Sequence, residues 1–166
     1  MRRSADMRKQ LAIALLIIGA GTAHARLEEN ITQCDQRYNI GGKSANADPL
    51  DGVSPLIRGP NTSHVVYRHD GWKIRIGYLN TIAVVVEYRR LDHGKLDDAQ
   101  FQLLLNVNSG GGTWTRSSPG LWIRNDGATA SRNPYIARFE SLYFKRHQEQ
   151  LRLQKERSKP QPGTRL

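Results

Sequence analysis

The chain has 166 residues, 25 basic and 15 acidic side chains for a formal net charge of +10, and one cysteine. A single cysteine excludes a framework of internal disulfides, and the length is sufficient for one domain to bury an apolar core instead. The excess charge lies at the two ends. Residues 1–25 carry Arg2, Arg3, Arg8 and Lys9 against Asp6, and 145–166 carry seven basic and two acidic residues, so the body between them is close to neutral. A nucleic-acid interface needs a basic stripe on the folded domain, and overall charge supplies no argument for one here.

In chain order, the basic residues of the N-terminus precede the apolar run LAIALLIIGAG, and Ala23-His24-Ala25 forms a small-residue cleavage site. Residues 1–25 therefore read as a secretory signal peptide cut after Ala25, which places the mature chain in a periplasm or outside the cell. The run is too short for a comfortable membrane span. Leu27, Ile31, Cys34 and Tyr38 then recur at helical spacing, which predicts a helix over 28–38 with Cys34 on its apolar face. Cys34 reads as a small buried hydrophobe, since no His or Lys on that face would activate the thiol. Gly, Pro, Asn, Asp and Ser dominate 39–63, a long loop that Leu56 and Ile57 can pin to the core.

Residues 64–90 predict three antiparallel strands. Asp70-Gly71 sits between two alternating runs as a two-residue hairpin, which pairs His69 with Trp72, Tyr67 with Ile74 and Val65 with Ile76. For the next turn, burial favours a three-residue loop over 79–81. That register pairs Tyr78 with Ile82, Ile76 with Val84 and Ile74 with Val86, whereas a two-residue turn at Asn80-Thr81 inverts the faces of the third strand. The loop places Thr81 near the left-handed region, a strained position for a β-branched residue. Ile74, Ile76, Val84 and Val86 then line the dry side. Arg68, Lys73, Arg75, Glu87 and Arg89 share the other, solvated side with Val66, Gly77, Ala83 and Val85, and Lys73 lies opposite Glu87.

Asp97 and Gln100 form a capping box, with Leu96 and Phe101 as its hydrophobic staple, so a helix is expected over 97–108, ended by Gly110-Gly111-Gly112. The triple glycine closes a helix instead of opening one and lacks a following Lys-Ser/Thr, so it reads as a turn and not a phosphate cradle. Ile123 to Gly127 and the later Ile136-Ala137 with Glu140 echo Tyr67 to Gly71 and Ile82-Ala83 with Glu87. The echo implies two α-β-β-β units, the second with strands near 121–125, 128–132 and 135–141. The fold class is α+β: a single antiparallel sheet from both units, helices packed on one face, and a charged C-terminal helix from Leu142. One domain over 26–144 is followed by a basic helical tail, 145–166, whose end is expected to be disordered.

Cys34-Asp35-Gln36-Arg37-Tyr38, Asp70-Gly71-Trp72, Leu79-Asn80, Asn108-Ser109-Gly110-Gly111 with Trp114, and Asp126 to Ala130 together resemble a group of uncharacterised small exported bacterial proteins. Asn39 and Thr81 stand where such relatives often carry glycine. The doubled helix-plus-meander plan is similar to secreted β-lactamase-inhibitory proteins and small outer-membrane assembly subunits, and that resemblance implies a protein-binding module.

The leading expectation is a non-catalytic exported module that recognises a protein or envelope polymer through Arg68, Lys73, Arg75 and Arg89, with the loop 41–61 and Trp114 and Trp122 as further contacts. No cofactor, nucleic-acid partner or membrane span of the mature chain is expected. His64, His69, His93 and His147 include no pair with helical metal-ligand spacing, and no serine sits in a nucleophile elbow. The alternatives are a small extracytoplasmic hydrolase, with His69 as its base, and a polyanion binder acting through the basic tail.

Overall fold

Turn chemistry at two hairpins sets the first half of the sheet. The computed structural model describes residues 26–38 and 56–158; the expected signal peptide, most of the long loop and the last residues of the tail lie outside the described residues. Strand β1 (Thr62–His69) turns into β2 (Trp72–Leu79) at Asp70 and Gly71, whose φ angles are 50° and 81°. Positive φ at both positions suits a type I′ turn, and His69 faces Trp72, Tyr67 faces Ile74 and Val65 faces Ile76 as expected.

The next hairpin corrects the sequence reading. Strand β3 (Ile82–Arg90) follows a two-residue turn, Asn80 (φ 50°) and Thr81 (φ 69°), so Leu79 faces Ile82 and Tyr78 faces Ala83. The inversion this turn imposes is undone by a β-bulge immediately after it. The register slips between Gly77 and Tyr78, so Val84 and Val85 together oppose Gly77; beyond the bulge Ile76 faces Val86 and Ile74 faces Tyr88. Three placements change as a result. Ala83 joins the core with Ile74, Ile76 and Val86, Val84 moves to the other side of the sheet, and Glu87 lies opposite Arg75 instead of Lys73.

Helix α1 (Ile31–Tyr38) precedes β1, and α2 (Asp98–Val107) follows β3. The capping box at α2 is as read: Asp97 accepts from the Gln100 amide at 2.7 Å, and Gln100 Oε1 accepts from the Asp97 amide at 3.2 Å. The second unit adds β4 (Trp114–Ser118), β5 (Leu121–Arg124), β6 (Thr129–Arg132) and β7 (Ile136–Glu140). The sequence reading missed β4, an exposed edge strand, while the weak segment ATASR does form a strand. Among the described residues the sheet is antiparallel throughout, in the order β1-β2-β3-β7-β6-β5-β4. The two units meet at its centre, where β3 pairs with β7; the start of β3 is met instead by the segment before α1, through an Asn30–Ile82 bridge.

Both α1 and α2 cover one side of the sheet, as expected. Cys34 and Tyr38 from α1 and Phe101, Leu104 and Leu105 from α2 bury Ile74, Ile76, Tyr88, Ala130, Ala137 and Phe139. Cys34 has no exposed surface, and burial, ahead of its neighbours' charges, pushes the thiol from its ordinary 9.0 up to about 11. The raised value favours the folded state below the ordinary thiol range, and that contribution is lost as pH rises from the ordinary value through the folded one. The expected result is a native protein that resists a disulfide reagent near neutral pH and reacts only in denaturant; rapid labelling of the native state would contradict this burial.

The opposite, outer side is not simply solvated. Helix α3 (Leu142–Arg157), capped by the Ser141 hydroxyl accepting from the Phe144 amide at 3.1 Å, packs its first turns there. Phe144 joins Leu56, Ile57, Leu79, Val84 and Val85 in a second cluster. Leu56 and Ile57 thus pack into the core as anticipated. Gly77 is what lets them approach: a Cβ there would lie 2.9 Å from Ile57 Cγ2. From Arg152 onward α3 is exposed on all sides. No helix among the described residues is long and apolar enough to cross a membrane.

Candidate functional site

Alternation along β1, β2, β3 and β7 delivers the charged residues to the outer face in two cross-strand rows. In one row Arg75, Glu87 and Arg138 are neighbours across the strands. Arg75 Nη1 lies 3.0 Å from Glu87 Oε1, Arg138 Nη1 lies 3.7 Å from Glu87 Oε2, and Arg138 Nε lies 2.7 Å from Glu140 Oε1. Glu87 is 7% exposed, so its charge is held between two guanidiniums close to the protein surface. Arg75 is therefore engaged in a structural ion-pair ladder.

The second row has one sign. Arg68 faces Lys73, Lys73 faces Arg89, and Arg89 faces Ile136. Arg68 is exposed, and Lys73 and Arg89 are half-buried. The row runs into a hollow of about 380 Å³ lined by Arg89, His93, Asn133, Pro134, Tyr135 and Ile136. Asn133 shapes its rim by accepting from the amides of Tyr135 and Ile136, both at 2.9 Å, and Tyr135 remains 48% exposed. A cationic strip beside an aromatic, largely apolar hollow is chemically suited to an anionic chain bearing an apolar group.

Trp114 and Trp122 are on the other side of the sheet, so the structure does not bring them together with the arginines and the lysine. Trp114 Nε1 donates to the Leu105 carbonyl at 2.9 Å, and its ring meets Phe139 edge-on at 5.9 Å, with the Arg124 guanidinium 5.5 Å from its centre. The Trp122 ring lies 4.6 Å from that of Phe101, and Arg116, directly opposite on β4, stands 5.7 Å from the Trp122 ring centre. Trp114 is packing; Trp122 sits at the border of the core. Sequence reasoning passed over Tyr135, Ile136, Arg116 and Arg132. Ile136 and Arg138 were within reach, since they alternate along an expected strand, but Arg116 depended on recognising β4.

The histidines among the described residues do not assemble. His64 is exposed on β1, His69 packs edge-on against Tyr38 at 5.6 Å, His93 lines the hollow, and His147 of α3 faces Gly59. Among the described residues no group of three or more His, Cys, Asp or Glu side chains is placed to hold a metal ion. No protein-family model, curated protein or solved structure matches the chain.

Proposed function

We propose that the protein is an exported, non-catalytic binding module that docks an anionic partner, a protein segment or an envelope polymer, on the outer sheet face. The observation that carries this reading is the register that sets Arg68, Lys73 and Arg89 side by side across three strands, which gathers basic side chains on one stretch of the outer face and gives it complementarity to an anionic ligand. The hollow at Ile136 and Tyr135 supplies apolar contact next to those charges. Export rests on the leader, with its basic residues, apolar run and Ala-His-Ala site.

The tail is a weaker surface for a polyanion. Arg152 is clasped by Glu149 at 2.6 Å and Glu156 at 2.7 Å, which engages one of the five basic residues of α3 along the helix itself. A hydrolase reading has no support in the scatter of the histidines. The test is capture of envelope components on immobilised protein, compared with the Lys73→Gln/Arg89→Gln variant and repeated over a salt series. A retained component that is lost with the double variant and released by salt supports the outer face. Retention unaffected by either change would refute it.

A further inference from the structure

We infer that the corner between α2 and β4–β6, on the inner side of the sheet, is a second binding site, for a carboxylate-bearing sugar. The geometry begins with cross-strand pairing. Arg116 faces Trp122, Trp122 faces Ala130, and Arg132 lies two residues further along β6 on the same side. Helix α2 closes the space beside these side chains with Phe101. The result is a hollow of about 280 Å³ lined by Asp98, Phe101, Gln102, Arg116, Trp122 and Arg132.

Its chemistry is mixed in a way that narrows the ligand. The floor is aromatic, with the Phe101 and Trp122 rings 4.6 Å apart. A guanidinium stands near each ring, Arg116 at 5.7 Å from Trp122 and Arg132 at 5.1 Å from Phe101. Arg132 also pairs with Asp98 at 2.7 Å, but Asp98 is 93% exposed in its side chain, and Arg116 meets no carboxylate among the described residues. Two arginines against one aspartate leave the hollow net positive. A simple inorganic anion makes no use of an aromatic floor and is opposed by Asp98. A purely apolar ligand would desolvate Arg116 and the Arg132–Asp98 pair while offering them no new hydrogen bond. A pyranose offers an apolar ring face to Trp122, hydroxyls that both donate and accept for Asp98 and Gln102, and, when it is a uronic acid, a carboxylate for Arg116 and Arg132. The volume suits one or two sugar rings, being near the lower end of the roughly 300–1,000 Å³ usual for small-ligand sites.

The site is on the opposite side of the sheet from the Arg68–Lys73–Arg89 row, so the two readings stand or fall separately. The test is titration of the purified protein with digalacturonate, with a neutral galactose disaccharide and inorganic phosphate as comparison probes, followed by tryptophan fluorescence and calorimetry. Digalacturonate is expected to bind in the millimolar range or tighter and to change a fluorescence signal that is absent from Trp122→Phe. Arg116→Gln and Arg132→Gln, both near the surface and compatible with folding, are expected to weaken it by about tenfold or more, as loss of a charge-assisted hydrogen bond implies. Lys73→Gln/Arg89→Gln is expected to leave it unchanged. No uronate binding, equal binding of phosphate or of the neutral disaccharide, or full affinity in both arginine variants would overturn the assignment.

Discussion

Replacing Phe139 with alanine is expected to lower stability by about 3–5 kcal/mol, the range for deleting a large aromatic from a packed core. Phe139 is fully buried on β7, facing Val86 of β3 and Ala130 of β6, at the seam where the two units join. Its ring lies 5.7 Å from Tyr88, 6.2 Å from Phe101 and 5.9 Å from Trp114, so one side chain touches both halves of the sheet and α2. Ala130 and Ala137 beside it are too small to fill the void. Urea unfolding followed by both fluorescence and circular dichroism measures the loss, and Ile123→Ala on the exposed outer face serves as a control expected within about 0.5 kcal/mol of the parent. A Phe139→Ala loss no larger than that of the control would show that the seam does not hold the units together.

Arg124→Ala is expected to cost about 3 kcal/mol, because it removes a buried cation that ties three separate segments together. The residue is 2% exposed. Its Nη1 donates to the carbonyls of Asn108 at 2.8 Å and Ser109 at 3.2 Å, where a cation also suits the C-terminal end of the α2 dipole. Its Nη2 meets Glu28 at 3.0 Å and Asp126 at 2.5 Å, joining the N-terminal segment to the β5–β6 turn. Lysine cannot reproduce this fork, so Arg124→Lys is expected to recover little of the loss.

Arg124 also gives the interaction a pH signature. Hydrogen bonding from Arg124, together with the Ala128 amide, outweighs desolvation and holds the Asp126 carboxyl below the ordinary carboxylate range. A lowered folded-state pKa contributes stability above the unfolded value, and that stability is lost as pH falls through the folded one. The parent should therefore lose stability on acidification through this window, and Arg124→Ala should lose less over the same window. Parallel acid profiles for the two proteins would refute the coupling.

The resemblance motifs fall on these structural joints. Asn108 is 1% exposed, accepts from the Leu27 amide at 3.2 Å and donates to the Tyr88 hydroxyl at 3.2 Å. Asp35 accepts from the Tyr67 hydroxyl at 2.5 Å. These polar residues of the resemblance motifs are partners for buried donors and acceptors, which cannot be left unsatisfied inside the fold.

Much of the candidate surface was legible because a strand has a period of two. Once β1 and β2 are recognised, Arg68, Lys73 and Arg75 must share a side, and Arg89 of β3 joins them there. The division of that set was not legible. Whether Glu87 stands opposite Lys73 or Arg75 depends on the bulge at Val84-Val85, and a bulge is a choice between two registers that differ in how a whole cluster packs. The same holds for Trp122, whose partner Arg116 belongs to a strand with little apolar alternation.

The residues by themselves determined the α+β class, the Asp70-Gly71 hairpin, the capped start of α2, and the doubling of a helix-plus-strands unit, because each follows from local backbone preference or from the spacing of apolar side chains. Tertiary packing alone decided the remainder. Leu56, Ile57 and Phe144 needed a surface to bury against, and the bulge that turns Val84 toward them provides it. Covering part of the outer face in this way confines the basic row to the end of the sheet beside Tyr135, a position that depends on contacts between segments far apart in the chain.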